Sequence, residues 1–326
     1  MSPSAITRTA SATEETASHV SGFHSAIRTP VSHRSGAIDV DAFLPLVVQF
    51  ERLGFARVKL DPALFAAVEQ VRAESRRFFA ENKEAKEAFA APGCVEGYRD
   101  IGPEYSKTAD RPDLNESFSV WQRNRGRAEI AAWNGACPLH ATMTAALDVY
   151  APLIDGLFRA MARRWSPAKT EPSEPAIFFK EASYLQVNHY QPAQHARDLL
   201  LDPHDDIHLV TMVTATEPGL EVEVGDRFLS ADLARDEALI FPGLLLKLMT
   251  GGMIQPLIHQ VRNLHTQAPR LSLMYFVNPE IDHRLDPWIR NESNAGVDIV
   301  ERAINAPKEF GLPTLVDGAK GTGRYK

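Results

Sequence analysis

The chain has 326 residues, 44% hydrophobic and 24% charged, with 35 Lys and Arg against 42 Asp and Glu for a net charge of −7. This mix excludes wholesale disorder, collagen-like and coiled-coil architectures, and the length suits one large domain or two smaller ones. The negative charge argues against nucleic acid as a partner, and no apolar run approaches the ~20 residues that cross a bilayer.

Residues 1–36 are rich in Ser, Thr and Ala and carry no apolar signal core, so they are expected to form a disordered arm. Order is expected from Ile38. Asp41 can cap a helix whose apolar face holds Phe43, Val47, Phe50 and Leu53, and Gly54 can stop it. Phe55 to Leu60 alternates as a half-buried strand. Asp61-Pro62 then opens a second helix with Leu64, Val68, Val71 and Phe78 on its buried stripe. Gly93 to Trp121 reads as loop and short strand. A long helix follows, because Met143, Leu147, Tyr150, Ile154, Leu157 and Met161 recur at helical spacing, with Pro152 as a candidate kink.

Three prolines between Pro167 and Pro175 mark a linker. Beyond it, β-prone runs recur roughly every 8–12 residues, as in an antiparallel sandwich or barrel. They are Ser183–Tyr190, His208–Thr214, Leu220–Val224, Ala238–Phe241, Leu245–Thr250, Pro256–Arg262 and Arg270–Val277. A short helix around Val297–Ile304 and a Gly/Lys-rich tail close the chain. The expected divisions are an arm at 1–36, a helical region at 37–166, a β-rich core at 176–280 and a C-terminal helix and tail at 281–326. The two cysteines, Cys94 and Cys137, form no CxxC. That excludes a thiolate zinc site, fits a reducing cytoplasm and makes each a small packing residue.

The chemistry concentrates in Asp202-Pro203-His204-Asp205-Asp206-Ile207-His208. If this stretch is extended, His204 and Asp206 share a face and can bind one metal ion, with His259 as the third ligand from a later strand. Taken alone, it reads more readily as a surface loop. A helical pairing of His204 with His208 is disfavoured by Pro203 and the β-branched residues that follow. A second constellation adds weight. Arg270 and Ser272 share a strand face opposite Leu271, Leu273 and Tyr275, and a guanidinium inside a barrel needs an anion, either a carboxylate ligand or a nearby Asp or Glu. Asn188 and Tyr190 share another face. His189, His195, His208, His265 and His283 are expected to be structural or surface residues.

The order Asn188-x-Tyr190, His204-x-Asp206, His259, Arg270-x-Ser272 resembles the isopenicillin N synthase-like family of Fe(II)/2-oxoglutarate-dependent oxygenases. Phe50-Glu51-Arg52-Leu53-Gly54-Phe55, Phe78-Phe79, Gly97-Tyr98 and Asp113-Leu114-Asn115-Glu116-Ser117-Phe118 extend the likeness over residues 38–280. Leu244 and Gln260 depart from the family's usual residues. The resemblance implies an α+β, mainly β fold with a double-stranded β-helix (jelly-roll) core and flanking N-terminal helices. It implies Fe(II) on His204, Asp206 and His259. It implies 2-oxoglutarate with its distal carboxylate on Arg270, Ser272 and Tyr190, and Asn188 orienting groups near the metal.

The implied reaction consumes O2 and 2-oxoglutarate, yields succinate and CO2, and oxidises a C–H bond of a small molecule such as an amino acid derivative or specialised metabolite. Because Asp206 is present, hydroxylation is favoured over halogenation. The run from Phe241 to His259 also looks like ethylene-forming members. A non-catalytic jelly-roll or cupin metal protein is the competing reading. Tyr98, Arg99, Tyr105, Phe118 and Tyr184 come from regions that flank the family's pocket.

Overall fold

The computed structural model describes residues 26–28, 38–91, 93, 95–166 and 176–315. The rest of the arm, Cys94, the proline-rich 167–175 stretch and the end of the tail lie outside the described residues.

Local chemistry sets the front half. Helix α1 (Leu44–Leu53) is closed by Gly54 at φ 78°, whose N–H returns to the Phe50 carbonyl. Asp39, rather than the expected Asp41, accepts from a backbone N–H at the 3-10 turn Val40–Phe43 before it. Asp61 caps α2 (Pro62–Phe79) by accepting from the amides of Ala63 and Leu64. The long helix α3 (Pro138–Trp165) contains Pro152 and continues through it.

The strands are β1 (Ile27–Arg28), β2 (Ala56–Lys59), β3 (Gly97–Arg99), β4 (Asn115–Trp121), β5 (Tyr184–Tyr190), β6 (Leu199–His204), β7 (Val210–Ala215), β8 (Leu220–Val224), β9 (Arg227–Ser230), β10 (Glu237–Pro242), β11 (His259–Arg262) and β12 (Arg270–Val277). They form an eight-stranded sheet ordered β1-β2-β10-β7-β12-β5-β4-β3 and a four-stranded sheet ordered β6-β11-β8-β9. This is the expected double-stranded β-helix. β1 falls within the arm expected to lack order, where Ile27 pairs with Val58.

The helices pack on one face of the large sheet. Leu271, Leu273 and Tyr275 of β12 join Val47, Val68, Ile154 and Leu157 in that core. The alternate residue Met274 joins Val213, Val222, Leu239 and Phe241 in the space between the sheets. Arg270 and Ser272 therefore open onto the inter-sheet side, as their alternation predicts.

The run Leu244–Met249, which overlaps the expected strand Leu245–Thr250, is instead helix α4. Leu245, Leu246 and Met249 are buried on one side of it, a helical spacing that a leucine run hides from a period-2 reading. The C-terminal helix α5 (Ile299–Asn305) lies close to its expected place, with Asp298 as cap. Among the described residues, no helix is long and apolar enough to cross a membrane.

Candidate active site

Strand register brings the two predicted ligand histidines together. In the β6–β11 ladder His204 stands opposite His259, and their rings lie 4.3 Å apart. His204 Nδ1 donates to the Asp202 carbonyl at 2.9 Å, and His259 Nδ1 donates to the Leu257 carbonyl at 3.1 Å. Each ring nitrogen left with a free lone pair is therefore Nε2. Both point at Asp206 Oδ1, at 3.5 Å from His204 and 3.9 Å from His259. The three side chains offer ligand atoms that all lie within 4.8 Å of one another, a group able to hold a metal ion.

Asp206 lies just beyond β6, not on it, and is fixed from outside the strand. Its Oδ2 accepts from the Thr211 hydroxyl. Its carbonyl accepts from the Leu244 amide at 2.8 Å, and the Ile207 carbonyl accepts from Leu245 at 3.0 Å. The first free N–H groups of α4 thus clamp the backbone at Asp206 and Ile207. The clamp is close enough that a Cβ at Gly243 would lie 2.3 Å from the His208 carbonyl oxygen and 2.6 Å from that of Asp206. Burial pushes the Asp206 carboxyl up, but the neighbouring imidazoles of His259 and His204 outweigh it and hold the group well below the usual carboxylate range. Burial, with His204 beside it, lowers His259 to about 4. This leaves it neutral and able to donate a lone pair near neutrality.

The second constellation converges as well. Arg270 pairs across the sheet with Tyr190, and Ser272 pairs with Asn188. The Arg270 guanidinium is buried, 2% exposed, and lies over the Tyr190 ring at 5.4 Å. Nε donates to the carbonyls of Glu217 and Pro218, each at 3.1 Å, and Nη1 to the Ser272 hydroxyl. Nη2 is buried with no partner, and no Asp or Glu lies within ion-pair distance among the described residues. The alternative of an internal salt bridge for Arg270 is thereby removed. What is left is a buried cation with one free donor edge, which fits a ligand carboxylate. A cavity of about 410 Å³ joins Tyr190, Asn188 and Ser272 to His204, Asp206 and His259.

A second cavity, of about 520 Å³, shares Asn188, Leu201, His204, Asp206 and Phe276 with the first. Of the expected flanking residues, Tyr184 lines it. Tyr98 and Phe118 are packed against Phe78 instead, and Tyr105 lies beside Gly311. Arg99 stands one layer back, donating to Glu104 at 2.5 Å, Ser119 at 2.7 Å and Gln186 at 2.9 Å. His208, expected to be structural, lines the cavity and is held by Asn278 at 2.9 Å and Tyr184 at 3.4 Å.

Sequence reading missed Glu104, Asp113, Gln186 and Phe310 as lining residues. Gln186 alone had a usable signal, since it shares the face of Asn188 and Tyr190. Of the remaining histidines, His189 faces away and binds Glu116 at 3.2 Å. His265 sits in a loop at φ 51° and offers no rival to His259.

Residues 182–279 match the family model of the 2OG-Fe(II) oxygenase superfamily. Three solved structures have the same fold. Neurospora crassa T7H in complex with alpha-KG and thymine is 18% identical, with 85% of this chain and 95% of that chain covered at a TM-score of 0.65. JOX2 in complex with 2OG, Fe and JA is 19% identical, covering 84% and 80% at 0.61. A putative 2OG-Fe(II) oxygenase family protein from Caulobacter crescentus is 22% identical, covering 85% and 97% at 0.60.

Proposed function

We propose that this chain, which belongs to the 2OG-Fe(II) oxygenase superfamily through residues 182–279, oxidises a C–H bond of a small molecule, most simply by hydroxylation, in the cytoplasm. The observation that carries the assignment of residues is the joint convergence of two Nε2 atoms, one carboxylate oxygen and, across one shared cavity, Ser272 and Tyr190, beside which the buried Arg270 guanidinium keeps an unpaired edge.

In this reading His204, Asp206 and His259 hold Fe(II), and residues 176–280 form the catalytic core. Bound there with 2-oxoglutarate and O2, Fe(II) supplies the redox chemistry that couples decarboxylation to succinate and CO2 with substrate oxidation. The protein's own work is placement. Arg270, Ser272 and the Tyr190 hydroxyl take the distal carboxylate, which fixes the distance at which the keto-acid end reaches the metal. Asn188, whose Nδ2 donates to the Tyr190 hydroxyl at 3.3 Å, lines both cavities and orients groups at their junction. Leu201 and Phe276 also line both and exclude water from the reacting centre. The low Cys content supports a cytoplasmic setting.

The test is anaerobic reconstitution with Fe(II) and 2-oxoglutarate, followed by O2 and measurement of succinate. Turnover that needs both iron and 2-oxoglutarate, and that Asp206→Ala abolishes, is the expected outcome. A protein that binds iron but never consumes 2-oxoglutarate, with any substrate in a broad panel, is a jelly-roll binding protein instead.

A further inference from the structure

We infer that the substrate of the proposed site is a small molecule that presents N–H donors and carries no carboxylate, received by Glu104 and Asp113 beneath Phe310. The inference rests on the oxygenase reading above and concerns the cavity lined by Glu104, Asp113 and Phe310.

Most of the hydrogen-bond capacity left over in this cavity is acceptor capacity, beside the second Nδ2 hydrogen of Asn188, whose first goes to the Tyr190 hydroxyl at 3.3 Å. The Gln186 amide is used at both ends: its oxygen accepts from Arg99 and Ser119, each at 2.9 Å, and its NH2 donates to Glu104 Oε2 at 3.2 Å and Asn188 Oδ1 at 2.8 Å. Tyr184 and His208 are bonded to each other. Glu104 Oε1 takes Arg99 and Ser117, whereas Oε2 takes only Gln186. Asp113 accepts one bond on each oxygen, from the Ser106 amide at 3.2 Å and the Ser106 hydroxyl at 2.8 Å. A carboxylate has about four acceptor sites, so both acids keep room for a substrate N–H.

The charge points the same way. Arg99 offsets Glu104, but Asp113 has no cationic partner within ion-pair distance among the described residues. Arg99 Nη1 is buried without a partner, and Arg99 is not among the residues that line the cavity. With 2-oxoglutarate, Asp206, Fe(II) and Arg270 together, the adjoining site is close to neutral, and its one cation is taken by the 2-oxoglutarate carboxylate. A substrate carboxylate would enter a half-buried space beside two acids, with no Lys or Arg among the residues that line it.

The acceptors and the apolar cover are built as one unit. Tyr105 N–H donates to the Phe310 carbonyl at 3.3 Å. Gly311, at φ 77°, sits so close to the same loop that a Cβ would lie 2.4 Å from the Pro103 oxygen. This contact ties Glu104's loop to the Phe310 ring, which stands 5.8 Å from the His204 ring. A flat ligand face fits under that ring while its N–H edge reaches the acids.

The test uses three compounds of one shape: benzamide, a neutral donor; benzamidine, a cationic donor; and benzoate, an anion. Each is titrated anaerobically into wild-type protein loaded with Fe(II) and 2-oxoglutarate. Binding is read from the visible charge-transfer absorption of the loaded complex and, independently, from melting temperature. The better donor compound is expected to bind roughly tenfold or more tightly than benzoate, about the worth of one charge-assisted hydrogen bond. Glu104→Gln combined with Asp113→Asn is expected to bring that ratio to within about threefold. Benzoate binding as tightly as the donor compounds, or neither donor compound binding, overturns the inference. If the absorption band never forms, the oxygenase reading fails instead, while the melting shifts still rank the three compounds.

Discussion

Replacing Arg270 with Met removes the guanidinium but keeps an unbranched side chain of similar reach. In the wild type the group is buried, bonded to two carbonyls and Ser272, and free at Nη2. If its free edge takes the distal carboxylate of 2-oxoglutarate, truncation costs about 2–5 kcal/mol of binding. At ~1.4 kcal/mol per factor of ten, the dissociation constant for 2-oxoglutarate rises roughly 30- to 4000-fold. Iron affinity should change by less than about threefold, since none of the contacts made by Arg270 is to His204, Asp206 or His259. Stability without ligand should stay within about 1 kcal/mol of wild type, because losing a buried unpaired charge offsets two carbonyls that lose their donor. Anaerobic titrations of iron and then of 2-oxoglutarate, with melting curves before and after each, separate these three quantities. An equal loss of iron and 2-oxoglutarate affinity, or a 2-oxoglutarate affinity that barely moves, would refute the assigned role.

Gly243→Ala forces the Asp206–His208 backbone away from α4, since the new Cβ would meet a carbonyl oxygen at 2.3 Å. Iron affinity is expected to fall roughly 10- to 100-fold, as for lost support around a metal ligand, and an unchanged iron titration would contradict the clamp. Lys86→Met leaves Glu116 buried with only Tyr98, at 2.5 Å, and His189, at 3.2 Å, to satisfy it. Denaturant unfolding should show a loss of about 3 kcal/mol, largely restored by adding Glu116→Gln; a loss no larger than an exposed pair gives would show the cluster to be dispensable. Burial raises the Asp113 carboxyl to about 6, above its ordinary 3.8. The folded state therefore holds this proton more tightly, and stability is lost as pH rises from about 4 through about 6. Asp113→Asn should stabilise the ligand-free protein by up to about 2 kcal/mol near pH 7.5 and by almost nothing below pH 4. The same gain at both pH values would place its cause elsewhere.

Much of the site is written in local pattern. The alternation of Arg270 with Ser272, of Asn188 with Tyr190, and of leucines between them assigns faces without any knowledge of neighbours, because successive strand side chains must point to opposite sides. The cap at Asp61 and the stop at Gly54 follow from orphan backbone groups in the same way. Where two local patterns compete, the sequence misleads. Leu244–Met249 reads as apolar strand, yet its helix is selected by the Asp206 and Ile207 carbonyls that accept its first amides.

Only tertiary structure could set His204 against His259, because strand register is a choice among pairings of residues far apart in the chain, made by burial on both sheets. Only it could carry Phe310 and Glu104, far apart in the chain, to one cavity. Covalent neighbours fix which way a side chain points. What it then faces depends on how the whole chain closes, and no short window of residues contains that information.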